Sequence, residues 1–123
     1  MVTRQQAFGQ KAESIAIRRL KKAGYKIVTR NYRNRIGEID IVARDGDTLV
    51  FVEVKARRSA RYGDPKHALT RAKQRKISMV ALEYLKSTGQ GSTKARFDVV
   101  AITAPASEPR IEIIKNAFEL AYP

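Results

Sequence analysis

The stretch GEIDIVARDGDTLVFVEVKA, residues 37–56, decides the fold. Its first half sets Ile39, Ile41 and Ala43 in alternation with Glu38, Asp40 and Val42. Its second half, residues 48–56, is rich in Val and Phe. Asp45-Gly46 between two such runs is a strong two-residue hairpin signal. With Asp45 and Gly46 as the central turn residues, Val42 faces Leu49, Asp40 faces Phe51 and Glu38 faces Glu53. Side chains alternate with period two, so Glu38, Asp40, Glu53 and Lys55 share one face at one end of the hairpin. Asp40 and Glu53 become diagonal neighbours, roughly 7–8 Å apart at Cα. One metal ion bridges such a gap.

Like charges facing each other across paired strands are destabilising, so this arrangement is expensive for a purely structural hairpin. A divalent cation or a group of basic side chains would compensate it. Magnesium takes oxygen ligands, keeps several waters, and is commonly held by one or two carboxylates together with substrate phosphate. Asp40, Glu53 and the carbonyl of Val54 suit Mg²⁺ or Mn²⁺. Lys55, two residues on, could orient a water or stabilise charge on a phosphate. Spacing alone fits a solvated Glu53–Lys55 pair on an edge strand equally well. Val50, Phe51, Val52 and Val54 weigh against that, because they make the strand read as central and buried. Glu and Lys are rarely buried without a partner, and buried charge more often marks a site.

Outward from the hairpin, residues 7–23 repeat Phe8, Ala12, Ile15, Ala16, Leu20 and Ala23 at helical spacing, with Gly24 as the C-terminal cap. Residues 25–32 read as a strand. After the hairpin, Pro65 opens a second helix with Asp64 as N-cap. Its apolar stripe runs from Leu69 to Leu85 and stops before Gly89. Residues 96–102 and 111–114 read as two further strands, joined by a Pro-bearing loop. The order helix, three strands, helix, strand, strand implies a parallel crossover unit within a mixed sheet. We therefore expect one α/β domain over residues 1–123, with helices packed on the faces of a central sheet.

Twenty-five Lys and Arg against twelve Asp and Glu give a net charge of +13. A surface this positive attracts polyanions, nucleic acid before an anionic membrane, since no amphipathic helix carries Trp or Phe anchors. Two basic runs flank the carboxylates. Between Ser14 and Gly37 there are basic residues and no acid. From Lys55 to Lys76 the only acid is Asp64. Arg57, Arg58 and Arg61 directly follow the Glu53–Lys55 strand and are the candidate phosphate contacts, with Tyr62 as a stacking or packing residue. His67, the single histidine, reads as a surface residue. Without Cys there is no disulfide, thiol catalysis or Cys-ligated metal. No apolar run is long enough to span a membrane, and the N-terminus lacks a secretory pattern, so the expected compartment is the cytoplasm. No glycine-rich phosphate loop is present, which argues against a nucleotide-dependent enzyme.

The series Gly37-Glu38-Ile39-Asp40, then Phe51-Val52-Glu53-Val54-Lys55, preceded by an acid in the first helix, resembles the PD-(D/E)xK nuclease superfamily. More narrowly, it resembles the YraN family of small bacterial proteins, similar to archaeal Holliday-junction resolvases. Arg30-Asn31, Arg57-Arg58, Tyr62-Gly63, Lys73-Gln74 and residues 96–100 extend the match. The resemblance implies a restriction-endonuclease-like fold. By position, Glu13 matches the helical acid that adds to the metal site, Asp40 the strand aspartate, and Glu53 and Lys55 the Glu-x-Lys pair. Lys73 matches a residue of the following helix that reaches toward the site. Ile113 stands where relatives often carry His.

The expected activity is Mg²⁺- or Mn²⁺-dependent hydrolysis of DNA phosphodiesters, on branched DNA by analogy with resolvases. Cutting a symmetric junction on two strands implies a homodimer. Two alternatives remain open at this point. One is a nucleic-acid-binding protein that keeps the fold without cleaving. The other is a basic structural protein bound to RNA.

Overall fold

The computed structural model describes residues 4–57, 69–103 and 107–120, with residues 4–8 described by their backbone alone. The elements are α1 (Arg4–Lys22), β1 (Lys26–Arg33), β2 (Glu38–Asp45), β3 (Thr48–Arg57), α2 (Arg71–Ser87), β4 (Ala95–Thr103) and β5 (Arg110–Phe118). They follow the expected order. The strands form one sheet in the order β1-β2-β3-β4-β5, all neighbours antiparallel except β3 and β4, which run parallel. The result is a mixed sheet with a helix on each face, an α/β restriction-endonuclease-like architecture.

β3 is central because both of its faces are apolar, as expected of a strand covered on both sides. Leu49 and Phe51 pack toward α2 with Ile77, Val80 and Tyr84. Val50 and Val52 pack toward α1 with Ala12, Ala16 and Leu20. The small residues at positions 12 and 16 let α1 lie close against the sheet. The helix ends as its sequence dictates: Gly24 takes φ +95, the left-handed cap geometry that costs glycine least.

Three boundaries differ from expectation. The hairpin turn is centred on Gly46 and Asp47, so Asp45 pairs with Thr48, Val42 with Phe51 and Ile41 with Val52. Gly46 supplies φ +63 at the first turn position, and Asp47 does not have positive φ, as a type II′ turn requires. The register is therefore offset by two residues, which keeps the paired side chains of residues 41–52 on their expected faces. The second helix starts at Arg71 with Thr70 as N-cap, its hydroxyl accepting from the Lys73 N–H at 3.1 Å. The expected start at Asp64 and Pro65 falls outside the described residues. Leu69 is buried as expected but precedes the helix. β5 extends to Phe118 rather than ending near residue 114, because a bulge at Asn116, φ +54, lets the strand rejoin β4.

Candidate metal and phosphate site

Beyond Ile41 and Val52 the hairpin opens. β2 stays with β1 as far as Glu38, while β3 stays with β4 as far as Arg57. The fork so formed lies at the carboxyl ends of the two parallel strands, the usual ligand end of an α/β sheet. Asp40 occupies it. Its Oδ2 accepts the Val54 N–H at 2.8 Å, a donor that a continuing ladder would have paired with β2 backbone.

Alternation slips at this residue. Ile41 and Ala43 pack toward α1, yet Ile39 packs toward α2 together with Val42. The β1 residue facing Asp40 is Asn31, which takes φ +53, a conformation Asn tolerates better than most residues. The shared face expected for Glu38, Asp40, Glu53 and Lys55 is corrected accordingly. Asp40 lies in the fork between strands, and in the observed register it stands level with Glu53 rather than diagonal to it. Glu38 does not face Glu53; it is exposed and pairs with Arg33 at 2.9 Å.

The Asp40 and Glu53 carboxyls lie close enough to shift each other's titration. Burial is the largest cause in both cases: it pushes Asp40 up and, with the Asp40 charge beside it, pushes Glu53 to about 7. The Val54 N–H opposes the rise at Asp40. Lys73 and then Lys55 oppose it at Glu53. Lys73 Nζ stands 3.6 Å from Glu53 Oε1 and is half exposed, so its compensation is partial.

Glu13, carried by α1, lines the same cavity as Asp40, a space of about 330 Å³ bounded also by Gly9, Gln10, Val54 and Ala56. Its Oε1 is buried without a hydrogen-bond partner and lies 3.5 Å from Arg30 Nη2, a distance of charge attraction only. Asp40, Glu53, Lys55, Lys73 and Glu13 thus come from four elements to one end of the sheet. Arg57 is the last residue of β3, at the same end. Arg58, Arg61, Tyr62 and His67 lie outside the described residues.

Several partially neutralised oxygens suit a hard divalent cation such as Mg²⁺ or Mn²⁺. The donor set fits it: a Glu13 oxygen with no hydrogen-bond partner, a Glu53 carboxyl short of compensation, and Asp40 with one oxygen not engaged by Val54. Among the described residues, no three acidic or His groups gather closely enough to hold a metal by themselves. Water and a phosphate oxygen would have to complete the shell.

Sequence reasoning missed a second polar cluster at the opposite end of the sheet. Asp98 is fully buried and accepts from Tyr25 Oη at 2.7 Å, Arg96 Nε at 3.0 Å and the Asn116 N–H at 2.9 Å. Arg96 also reaches Asp45 at 2.7 Å, holding that carboxyl below its ordinary value. A signal existed, since Arg96 and Asp98 stand two apart and face one side of a strand. Its partners Tyr25 and Asn116 are too distant in sequence to be read as such.

A mixed α/β/α sheet that splits at its carboxylates is the architecture of restriction-endonuclease-like proteins. Within that class the chain belongs to the uncharacterised protein family UPF0102, whose model matches residues 12–102. It is 52% identical to the UPF0102 protein of Desulfosudis oleivorans, over 97% of this chain and 95% of that one. Its identity to the Geobacter metallireducens member is 55%, over 94% and 95%. To the Rhodococcus opacus member it is 46%, over 91% and 96%. The matched span contains Glu13, Asp40, Glu53, Lys55 and Lys73. No helix among the described residues is long and apolar enough to cross a membrane.

Proposed function

We propose that the domain is a metal-dependent endonuclease acting on DNA, branched DNA included. The observation that carries the reading is the buried Asp40–Glu53 pair in the strand fork, which neighbouring cations neutralise only in part. A site left this way is costly unless a ligand finishes it. Asp40 and Glu53 would hold Mg²⁺ or Mn²⁺, with the Val54 carbonyl beside them and Glu13 acting across the shared cavity. When bound, the cation would supply Lewis acidity toward a phosphate oxygen and ease deprotonation of the attacking water. Lys55 would orient the attacking water. Lys73 would move its charge from Glu53 to the phosphate, and Arg57, Arg58 and Arg61 would hold the backbone. Cleavage of two strands of a junction would use a homodimer.

The test is incubation with Mg²⁺ or Mn²⁺ and a panel of linear, flapped and four-way DNAs. Asp40→Asn with Glu53→Gln should abolish cleavage and leave the fold intact, because each amide retains a hydrogen-bonding oxygen. Cutting by the purified double variant refutes the assigned site. A second reading, a nucleic-acid binder that does not cleave, is favoured by the lack of three clustered carboxylates among the described residues. Calorimetric titration separates the two. A metal site lost in Asp40→Asn supports the enzyme, and salt-sensitive binding with no metal uptake supports the binder.

A further inference from the structure

α1 continues past the site. Its first half contributes Gly9, Ala12 and Glu13 to the cavity beside Asp40. Its second half borders another cleft, of about 340 Å³, formed with the start of β5. Ile15, Pro109 and Ile111 supply apolar walls. Arg18, Arg19 and Lys22 supply positive charge. Arg18 and Lys22 lie about 8 and 14 Å beyond Glu13 along the axis, at ~1.5 Å per residue. β5 begins opposite Thr103, at the same end of the sheet as the fork.

Basic residues in the last turn of a helix are ordinary complements to its dipole. These three differ in their partners from four other basic residues of the chain. Arg30, Arg33, Lys73 and Arg96 each face a carboxylate. Among the described residues, no carboxylate comes within ion-pair distance of Arg18, Arg19 or Lys22.

We propose that this α1–β5 cleft is a second subsite, which binds one unpaired nucleic-acid strand as it leaves the carboxylate site. The inference rests on the nuclease reading for its direction, from Asp40 toward β5. The cleft sets a charged rim beside an aliphatic wall; single-strand grooves likewise join positive charge to apolar surface, there usually aromatic. A strand presents both phosphates and base faces to such a surface. An intact duplex keeps its bases stacked inside and offers phosphates alone, leaving Ile15 and Ile111 without a counterpart. The substrate class is therefore DNA with a single-stranded or opened arm next to the cut.

The test is fluorescence anisotropy without divalent cation, comparing a labelled single-stranded oligonucleotide with its blunt duplex. Replacing Arg18, Arg19 and Lys22 with Gln should weaken single-strand binding by about tenfold or more. It should also flatten the log–log salt slope by about 2, at roughly 0.7 for each phosphate no longer engaged. Duplex binding should change far less. Arg18→Lys with Arg19→Lys should retain the wild-type slope, which excludes a folding defect. Unchanged single-strand binding in the Gln variant, or an equal loss on both DNAs, overturns the subsite. So would an acidic peptide binding the cleft while DNA does not. If the wild type cuts no DNA yet the Gln variant loses single strands selectively, the cleft stands and the nuclease reading falls.

Discussion

Glu53→Gln should stabilise the folded domain while it destroys the site. Glu53 sits at about 7 instead of its ordinary 4.5, and burial is the largest cause. A carboxyl raised on folding contributes most to stability below its unfolded value, and that contribution is lost as pH rises through the folded value. Between 4.5 and about 7 the folded state therefore loses about 3 kcal/mol relative to the unfolded chain, at ~1.4 kcal/mol per pH unit. Glutamine never ionises, keeps the shape, and can donate its amide to Asp40. Lys73 loses a half-exposed partner, worth under about 1 kcal/mol. Urea denaturation in chelator should thus find the variant about 3 kcal/mol more stable than wild type at pH 8, and less than about 1 kcal/mol more stable at pH 5. Adding Mg²⁺ at the higher pH should narrow the gap by stabilising wild type alone. An advantage that is absent, or equal at both pH values, refutes the claim that the pair is an uncompensated charge.

Asp98→Ala removes the acceptor for Tyr25, Arg96 and Asn116 and should cost about 3–5 kcal/mol in the same denaturation assay; a loss below about 1 kcal/mol contradicts the network. Thr70→Ala removes the cap that fixes the turn carrying Lys73 and should cost about 1 kcal/mol, read from the urea midpoint. Lys73→Gln should push Glu53 higher still, visible in an NMR carboxyl titration, and lower the duplex-binding salt slope by about 0.9.

The fold is legible where one local pattern suffices. Residues 37–56 announce a central hairpin because apolar runs and a Gly-bearing turn lie within one short segment. Their side-chain faces survive a misplaced turn centre because an error of two residues preserves parity. Asp40 does not follow the rule. Its place depends on the hairpin opening, on Asn31 accepting positive φ across from it, and on Ile39 changing sides, none of which period two encodes. The start of α2 escapes local reading because Asp64-Pro65 is the louder signal, whereas the cap is Thr70, whose hydroxyl accepts the Lys73 N–H. Glu13 is indistinguishable from a surface acid by spacing, and the family resemblance alone singles it out. The Asp98 cluster needs contacts more than seventy residues apart in the chain.

The two ends of the sheet treat buried carboxylates in opposite ways, and the contrast argues for function at one of them. Asp98 receives a hydroxyl, a guanidinium and a backbone N–H, so its burial strengthens the joint between β4 and β5. Asp40 receives one N–H and a second acid, and Glu53 receives that acid and an ammonium 3.6 Å away. The same chain, with twenty-five basic residues available, satisfies the acid that no ligand needs to reach. It leaves short the pair whose Asp40 opens onto a cavity. Had stability alone shaped the fork, an Arg placed like Arg96 would have closed it, and the cation that completes the pair would then belong to the fold. Under the proposed reading, that cation would instead come from outside, as a metal ion together with the phosphate it binds.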